Sequence, residues 1–185
     1  AIRGVYQVYH GGSTPTRQLQ FVTISTPGNA ASFGQFIRNQ SGYAAWNDGT
    51  YGYFAQNGSF NDCAVITVST EANATQTGYT LQTSFLQYGA GAAGDATRML
   101  VAGGETNGGA TASIQYFTMP IASNAVNFGS LTGSRRNTDG TGDDTYSIWG
   151  GGWVSGSVSN IDYVTTQTTS NASSFGTLWE ARNDA

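Results

Sequence analysis

The chain has 185 residues and a formal net charge of −4; 10% of its residues are charged and 12% are aromatic. That length suits one domain with a sizeable core, and the aromatic and β-branched content argues against disorder. There is no basic stripe, which excludes nucleic acid as a partner, and no apolar run approaches the roughly 18 residues of a membrane span. Every basic residue is Arg and there is no Lys, which excludes Schiff-base and P-loop chemistry.

Glycine is abundant, at 26 residues, alongside Thr, Ser, Asn and aromatics, the mixture of an all-β chain with tight turns. The N-terminus does not read as a signal peptide and enters a strand pattern at once. It lacks Met, so the expectation is a processed chain or a piece of something longer. The first strand pattern is Arg3-Gly4-Val5-Tyr6, followed by Gly11-Gly12. Phe21-Val22-Thr23-Ile24 is a second, and the turn through Asn29-Ala30 returns into Phe33-Gly34-Gln35-Phe36. These last two make an antiparallel hairpin, in which Asn is expected to supply the bend by a left-handed backbone.

Gly42-Tyr43-Ala44-Ala45-Trp46 is a strand of mostly small residues, closed by the turn Asp48-Gly49-Thr50. The pattern then starts again. Tyr51-Gly52-Tyr53-Phe54, Val65-Ile66-Thr67-Val68 and a worn return, Asn73-Ala74 with Gly78, form the second copy. Gln87-Tyr88-Gly89-Ala90-Gly91 and the turn Asp95-Ala96-Thr97 lead into the third. That copy holds Arg98-Met99-Leu100-Val101 ending in Gly103-Gly104, Tyr116-Phe117-Thr118-Met119, and Asn124-Ala125 with Phe128-Gly129-Ser130-Leu131. A nearly all-polar run, Arg136 to Gly142, precedes Asp144-Thr145, with Asp144 read as the equivalent of Asp48 and Asp95. The fourth copy is Tyr146-Ser147-Ile148-Trp149, Gly150-Gly151-Gly152, Tyr163-Val164-Thr165-Thr166, and Asn171-Ala172 with Phe175-Gly176-Thr177-Leu178.

Asn29, Asn73, Asn124 and Asn171 stand 44, 51 and 47 residues apart. A period in the high forties without helical signal is a propeller interval. Four strands per repeat, with a small-residue inner one near the axis, make a propeller blade. The expected fold is all-β: one domain over 1–185, a four-bladed β-propeller of antiparallel four-stranded sheets, in repeats of about 47 residues near 1–40, 41–84, 85–136 and 137–185. The chain opens on the second strand of a repeat, so about fifteen strands are expected rather than sixteen. The missing one is the inner strand before Arg3. An open blade leaves strand edges that invite a neighbour.

The order of elements resembles the kelch type of propeller repeat, with a longer turn and Phe where Trp is usual. Arg3-Gly4-Val5-Tyr6, Asn160-Ile161-Asp162-Tyr163-Val164-Thr165 and Asn124-Ala125-Val126-Asn127-Phe128-Gly129-Ser130-Leu131 are similar to repeats of virion proteins of tailed phages, cyanophages among them. The resemblance implies a non-enzymatic part of a virion, such as a capsid knob, tail or fibre accessory. It implies other virion proteins or copies of the same chain as partners. It carries over no catalytic residue and no cofactor.

Residues with chemistry fit that picture. His10 is the only histidine and Cys63 the only cysteine, too few for a multi-histidine metal site or a disulfide. Cys63 reads as a half-buried strand residue. The one carboxylate cluster, Asp139, Asp143 and Asp144, offers oxygen ligands on a Gly-flexed loop as a calcium candidate. It lacks the EF-hand spacing, and a polar turn between blades is the plainer reading. Among the tryptophans, Trp149 belongs to the core and Trp46 to an inner strand. Trp153 follows three glycines in a loop and is the candidate exposed binding residue; Trp179, near the open end, could pack against a neighbour. An exposed Trp would also suit a host-surface glycan, so a lectin-like, receptor-recognising propeller is the alternative.

Overall fold

The computed structural model describes residues 3–7, 17–38, 43–55, 61–82 and 89–183. It is all-β, with four antiparallel sheets arranged as a four-bladed β-propeller. Blade I holds β1 (Arg3–Gln7), β2 (Gln18–Thr23) and β3 (Ala31–Gln35). Blade II runs β4 (Ala44–Asn47), β5 (Tyr51–Ala55), β6 (Asp62–Thr67) and β7 (Thr75–Thr80). Blade III has β8 (Ala90–Gly94) and β9 (Arg98–Gly103), then a small hairpin of β10 (Glu105–Thr106) and β11 (Gly109–Ala110), then β12 (Ser113–Thr118) and β13 (Val126–Ser130). Blade IV is β14 (Asp139–Gly142), β15 (Tyr146–Gly150), β16 (Val158–Thr165) and β17 (Ser173–Arg182). Neighbouring strands pair in chain order within each blade, and blade I has three strands among the described residues.

The small residues of the inner strands have a steric cause. β14 lies against β8, and a Cβ on Gly140 or Gly142 would collide with the carbonyl oxygens of Ala92 or Gly94. Only a residue without a side chain permits that backbone approach. The polar run before the fourth copy is therefore an inner strand only from Asp139 onward, and the third inner strand begins at Ala90.

The turn into each second strand is closed by one carboxylate. Asp48 Oδ1 accepts the N–H groups of Thr50 and Tyr51, and Asp95 Oδ1 those of Thr97 and Arg98. In blade IV the equivalent is Asp143, which accepts from Thr145 and Tyr146. This corrects the expected equivalence of Asp144. An Asx turn needs its acceptor two and three residues before the donors, and only Asp143 has that spacing.

The Phe of each Phe-Gly pair sits in a β-bulge. Leu19 pairs with Gly34 and Gln20 with Ser32, which leaves Phe33 as the extra residue; Phe128 and Phe175 occupy the same place in their blades. The bulge turns the ring off the strand, onto an aromatic of the strand it pairs with, β2, β12 or β16. Phe21–Phe33, Tyr116–Phe128 and Tyr163–Phe175 are edge-to-face pairs with centroids 6.0, 5.8 and 5.7 Å apart.

Three core clusters among the described residues fill three blade junctions. Leu19, Phe33 and Phe36 of blade I meet Phe54, Ile66 and Ala74 of blade II. Tyr53, Cys63 and Leu81 of blade II meet Met99, Phe117 and Ala125 of blade III. Leu100, Phe128 and Leu131 of blade III meet Trp149 and Val164 of blade IV. Trp149 is fully buried, with its Nε1–H donated to the Gly91 carbonyl at 3.2 Å. Burying one such side chain is worth roughly 1.5–3 kcal/mol, and its indole N–H needs the acceptor it has.

Candidate functional site

The recurrent asparagine joins blades. Asn73 Oδ1 accepts the Gln35 N–H at 2.9 Å, and the Ala74 N–H donates to the Gln35 carbonyl at 2.9 Å. Asn124 and Ala125 hold Thr80 in the same two-point grip, and Asn171 and Ala172 hold Ser130. These three Asn-Ala pairs thus clamp the outer strand of the preceding blade. The only described non-glycine residue with a left-handed backbone is Asn137. The expectation that the repeated Asn supplies a left-handed bend is corrected: its amide oxygen is what the repeat retains.

Two further contacts reinforce the junctions. Gln115 Oε1 accepts the Gln82 N–H at 2.7 Å, and Asp162 accepts from Thr132 N and Oγ1 at 2.8 and 2.7 Å. Asp162 is fully buried and paired with Arg135 at 3.2 Å. Burial pulls the Arg135 pKa below the ordinary arginine value, opposed by the Asp162 charge. In the other direction, Arg98 lies over the Tyr116 ring and donates to the Thr166 carbonyl of blade IV. Arg3 lies over Phe21 and donates to the Val68 and Ser69 carbonyls of blade II.

The fourth junction, blade IV to blade I, has none of this among the described residues. Phe175 is 61% exposed, whereas Phe33 and Phe128 at the same position are 2% and 1% exposed. A Cβ on Gly34 or Gly129 would collide with the Ala72 or Ser170 carbonyl of the next blade, yet a Cβ on Gly176 would meet nothing within 4 Å. Trp179, one residue after Leu178, is 99% exposed. The facing elements of blade I are equally open. Tyr6 is 57% exposed, while its counterparts Phe54, Val101 and Trp149 are buried; Ile24 is 63% exposed, while Val68 is half-buried and Met119 and Thr166 are buried. Ala30 is exposed as well, whereas Ala74 and Ala125 are buried and Ala172 is half-buried; the Asn is exposed in all four repeats.

A cleft of about 690 Å³ opens between β1 and blade II, lined in part by Arg3, Val5, Tyr6, Trp46, Phe54 and Ile66. Its walls include β1, an edge strand of blade I among the described residues, and β4 of blade II.

The carboxylates Asp139, Asp143 and Asp144 do not form a metal-holding group; no cluster of three His, Cys, Asp or Glu that could hold an ion occurs among the described residues. Asp139 is part of β14, and Asp143 is taken up by its turn. The Tyr146 and Thr145 N–H groups hold the Asp143 pKa below the ordinary carboxylate value. Asp95 is also lowered: burial opposes its charge, but Gln167 Nε2, 2.5 Å away, and the Thr97 and Arg98 amides favour it. Cys63 is fully buried in β6 rather than half-buried, and burial pushes its thiol pKa up. Trp153 is half-buried, bridged to Arg136 and Ser157, so it is less open than expected. Trp46 lies in β4 and donates to the Asp95 carbonyl. His10 lies outside the described residues.

The class this geometry defines is a four-bladed β-propeller whose repeated polar residues are committed to its own junctions. No protein-family model matches the chain, and none of the curated proteins compared with it matches.

Proposed function

We propose that this chain is a non-enzymatic, kelch-like propeller module of a phage particle, acting through its surfaces as a capsid, tail or fibre accessory. The observation that carries the reading is the use of the repeated residues: the Asn, Asp and Arg positions are spent on turns and blade clamps, while Phe175 and Trp179 stand exposed on the blade IV flank. Contiguous exposed aromatics mark contact surfaces, and aromatic anchors dominate binding energy at protein interfaces. Its partners would be other virion proteins or further copies of itself. The test is mass spectrometry and gold labelling of purified particles. The chain at fixed stoichiometry at one place on the particle supports the role; its absence from particles refutes it.

A second reading rests on Trp179 alone. A fully exposed indole can stack on a sugar ring, which suits a receptor-recognising lectin. A glycan array probed with the wild-type chain and with Trp179→Ala separates the two. Binding lost with Trp179 favours the lectin; no glycan binding favours the structural role.

A further inference from the structure

The exposed flanks of blades IV and I are the two halves of one blade junction, and we infer that a second copy of this chain completes it, head to tail. The inference deepens the surface-binding reading above and takes from it the premise that the chain works by contact. Three interior junctions show what fits a blade's outgoing flank. It is an Asn-Ala loop on the outer strand at all three, with apolar side chains of the next blade against the bulged Phe at two of them, I to II and III to IV. Blade IV offers that flank through Phe175, Gly176 and Trp179. Blade I offers the matching loop, Asn29-Ala30, with Tyr6 and Ile24 exposed at the positions that are otherwise covered. Gln20 stands at the register position of Gln115 and Asp162, whose side-chain oxygens take an N–H from the preceding blade.

Among the described residues the two halves do not meet within one chain. No core cluster and no hydrogen bond joins them. A second copy brings its blade I to the first copy's blade IV. The Asn29 amide oxygen then takes the Thr177 N–H, and Tyr6 and Ile24 cover Phe175. Such an interface uses a different patch on each partner, so it propagates into a closed ring or a filament.

The test is sedimentation-equilibrium analysis of the wild type, of Phe175→Asp, which blocks the outgoing flank, and of Ile24→Asp, which blocks the incoming one. Both side chains are exposed, so both variants should keep the wild-type circular dichroism. The wild type is expected to self-associate with rising concentration. Each variant alone is expected to be monomeric, with affinity weakened about tenfold or more. An equimolar mixture is expected to form a 1:1 dimer and nothing larger, because each variant retains one intact half. A second pair, Trp179→Glu with Asn29→Ala, replaces the first if either variant misfolds. A wild type that stays monomeric, a single variant that associates like wild type, or folded variants that fail to complement overturns the inference. A monomeric chain that still occurs in particles sinks self-association alone, and a self-associating chain absent from particles sinks the virion reading alone.

Discussion

Asn171 of blade IV accepts the backbone N–H of Ser130 in blade III at 3.1 Å, and the neighbouring Ala172 N–H donates to the Ser130 carbonyl at 2.8 Å. Asn29 occupies the same place in the first repeat and, among the described residues, has no such partner. The two residues therefore test the clamp against its own control.

Asn171→Ala should destabilise the dilute, monomeric chain by ~0.5–1.5 kcal/mol, the net worth of an ordinary hydrogen bond. Asn29→Ala should leave it within about 0.5 kcal/mol of wild type. Urea titrations followed by tryptophan fluorescence measure both. Equal losses would mean that the asparagine acts within its own turn.

Asp162→Asn should be the most damaging polar substitution. It strands a buried Arg135 and weakens the grip on Thr132. Breaking one side of a buried pair costs about 3–5 kcal/mol. The same change at Glu180, whose pairing with Arg182 is exposed, should cost less than about 1 kcal/mol. Thermal unfolding of the two variants makes the comparison.

Gly129 and Gly176 have nearly the same backbone, with φ of 159° and 156°. The conformational cost of an alanine is then common to both sites. Only Gly129 also faces a carbonyl of the next blade, so Gly129→Ala should cost about 1–3 kcal/mol more than Gly176→Ala. Parallel denaturation curves read the difference. Equal costs would place a covering surface over Gly176.

The acid limb of stability should depend on Asp95 and Asp143. Both ionise more readily in the folded chain than an ordinary aspartate does in an unfolded one. Their contribution is complete above that unfolded value and is lost as pH falls through the lower folded one. Asp95→Asn should therefore flatten the stability profile below about pH 4. A profile unchanged from wild type between pH 2 and 5 would show that the Asp95 turn is not coupled to folding.

The repeat made the architecture legible. Phe-Gly, Asn-Ala and the Gly-rich inner strands recur, and a propeller is what repeats of that length and strand content build. The clamp was not legible, because the partner of each Asn lies 38, 44 or 41 residues away in the preceding blade. A sequence read locally offers the Asn only its own turn. Asp143 and Asp144 are adjacent, and register alone decides which closes the turn. The sequence places Trp179 near the open end, against a neighbour, and Trp153 in an exposed loop. Their exposures are set by what covers each blade: Gly152 and Arg136 hold the Trp153 loop, and nothing described covers Trp179.

Among the described residues, one chain leaves its fourth junction open. Hydroxyl-radical footprinting of the dilute, monomeric chain, read residue by residue, tests it most directly. Phe175 and Trp179 should be oxidised like exposed side chains while Phe33, Phe128 and Trp149 stay protected. Protection of Phe175 equal to that of Phe33 and Phe128 would mean that blade I closes onto blade IV within the chain, and would contradict the claim.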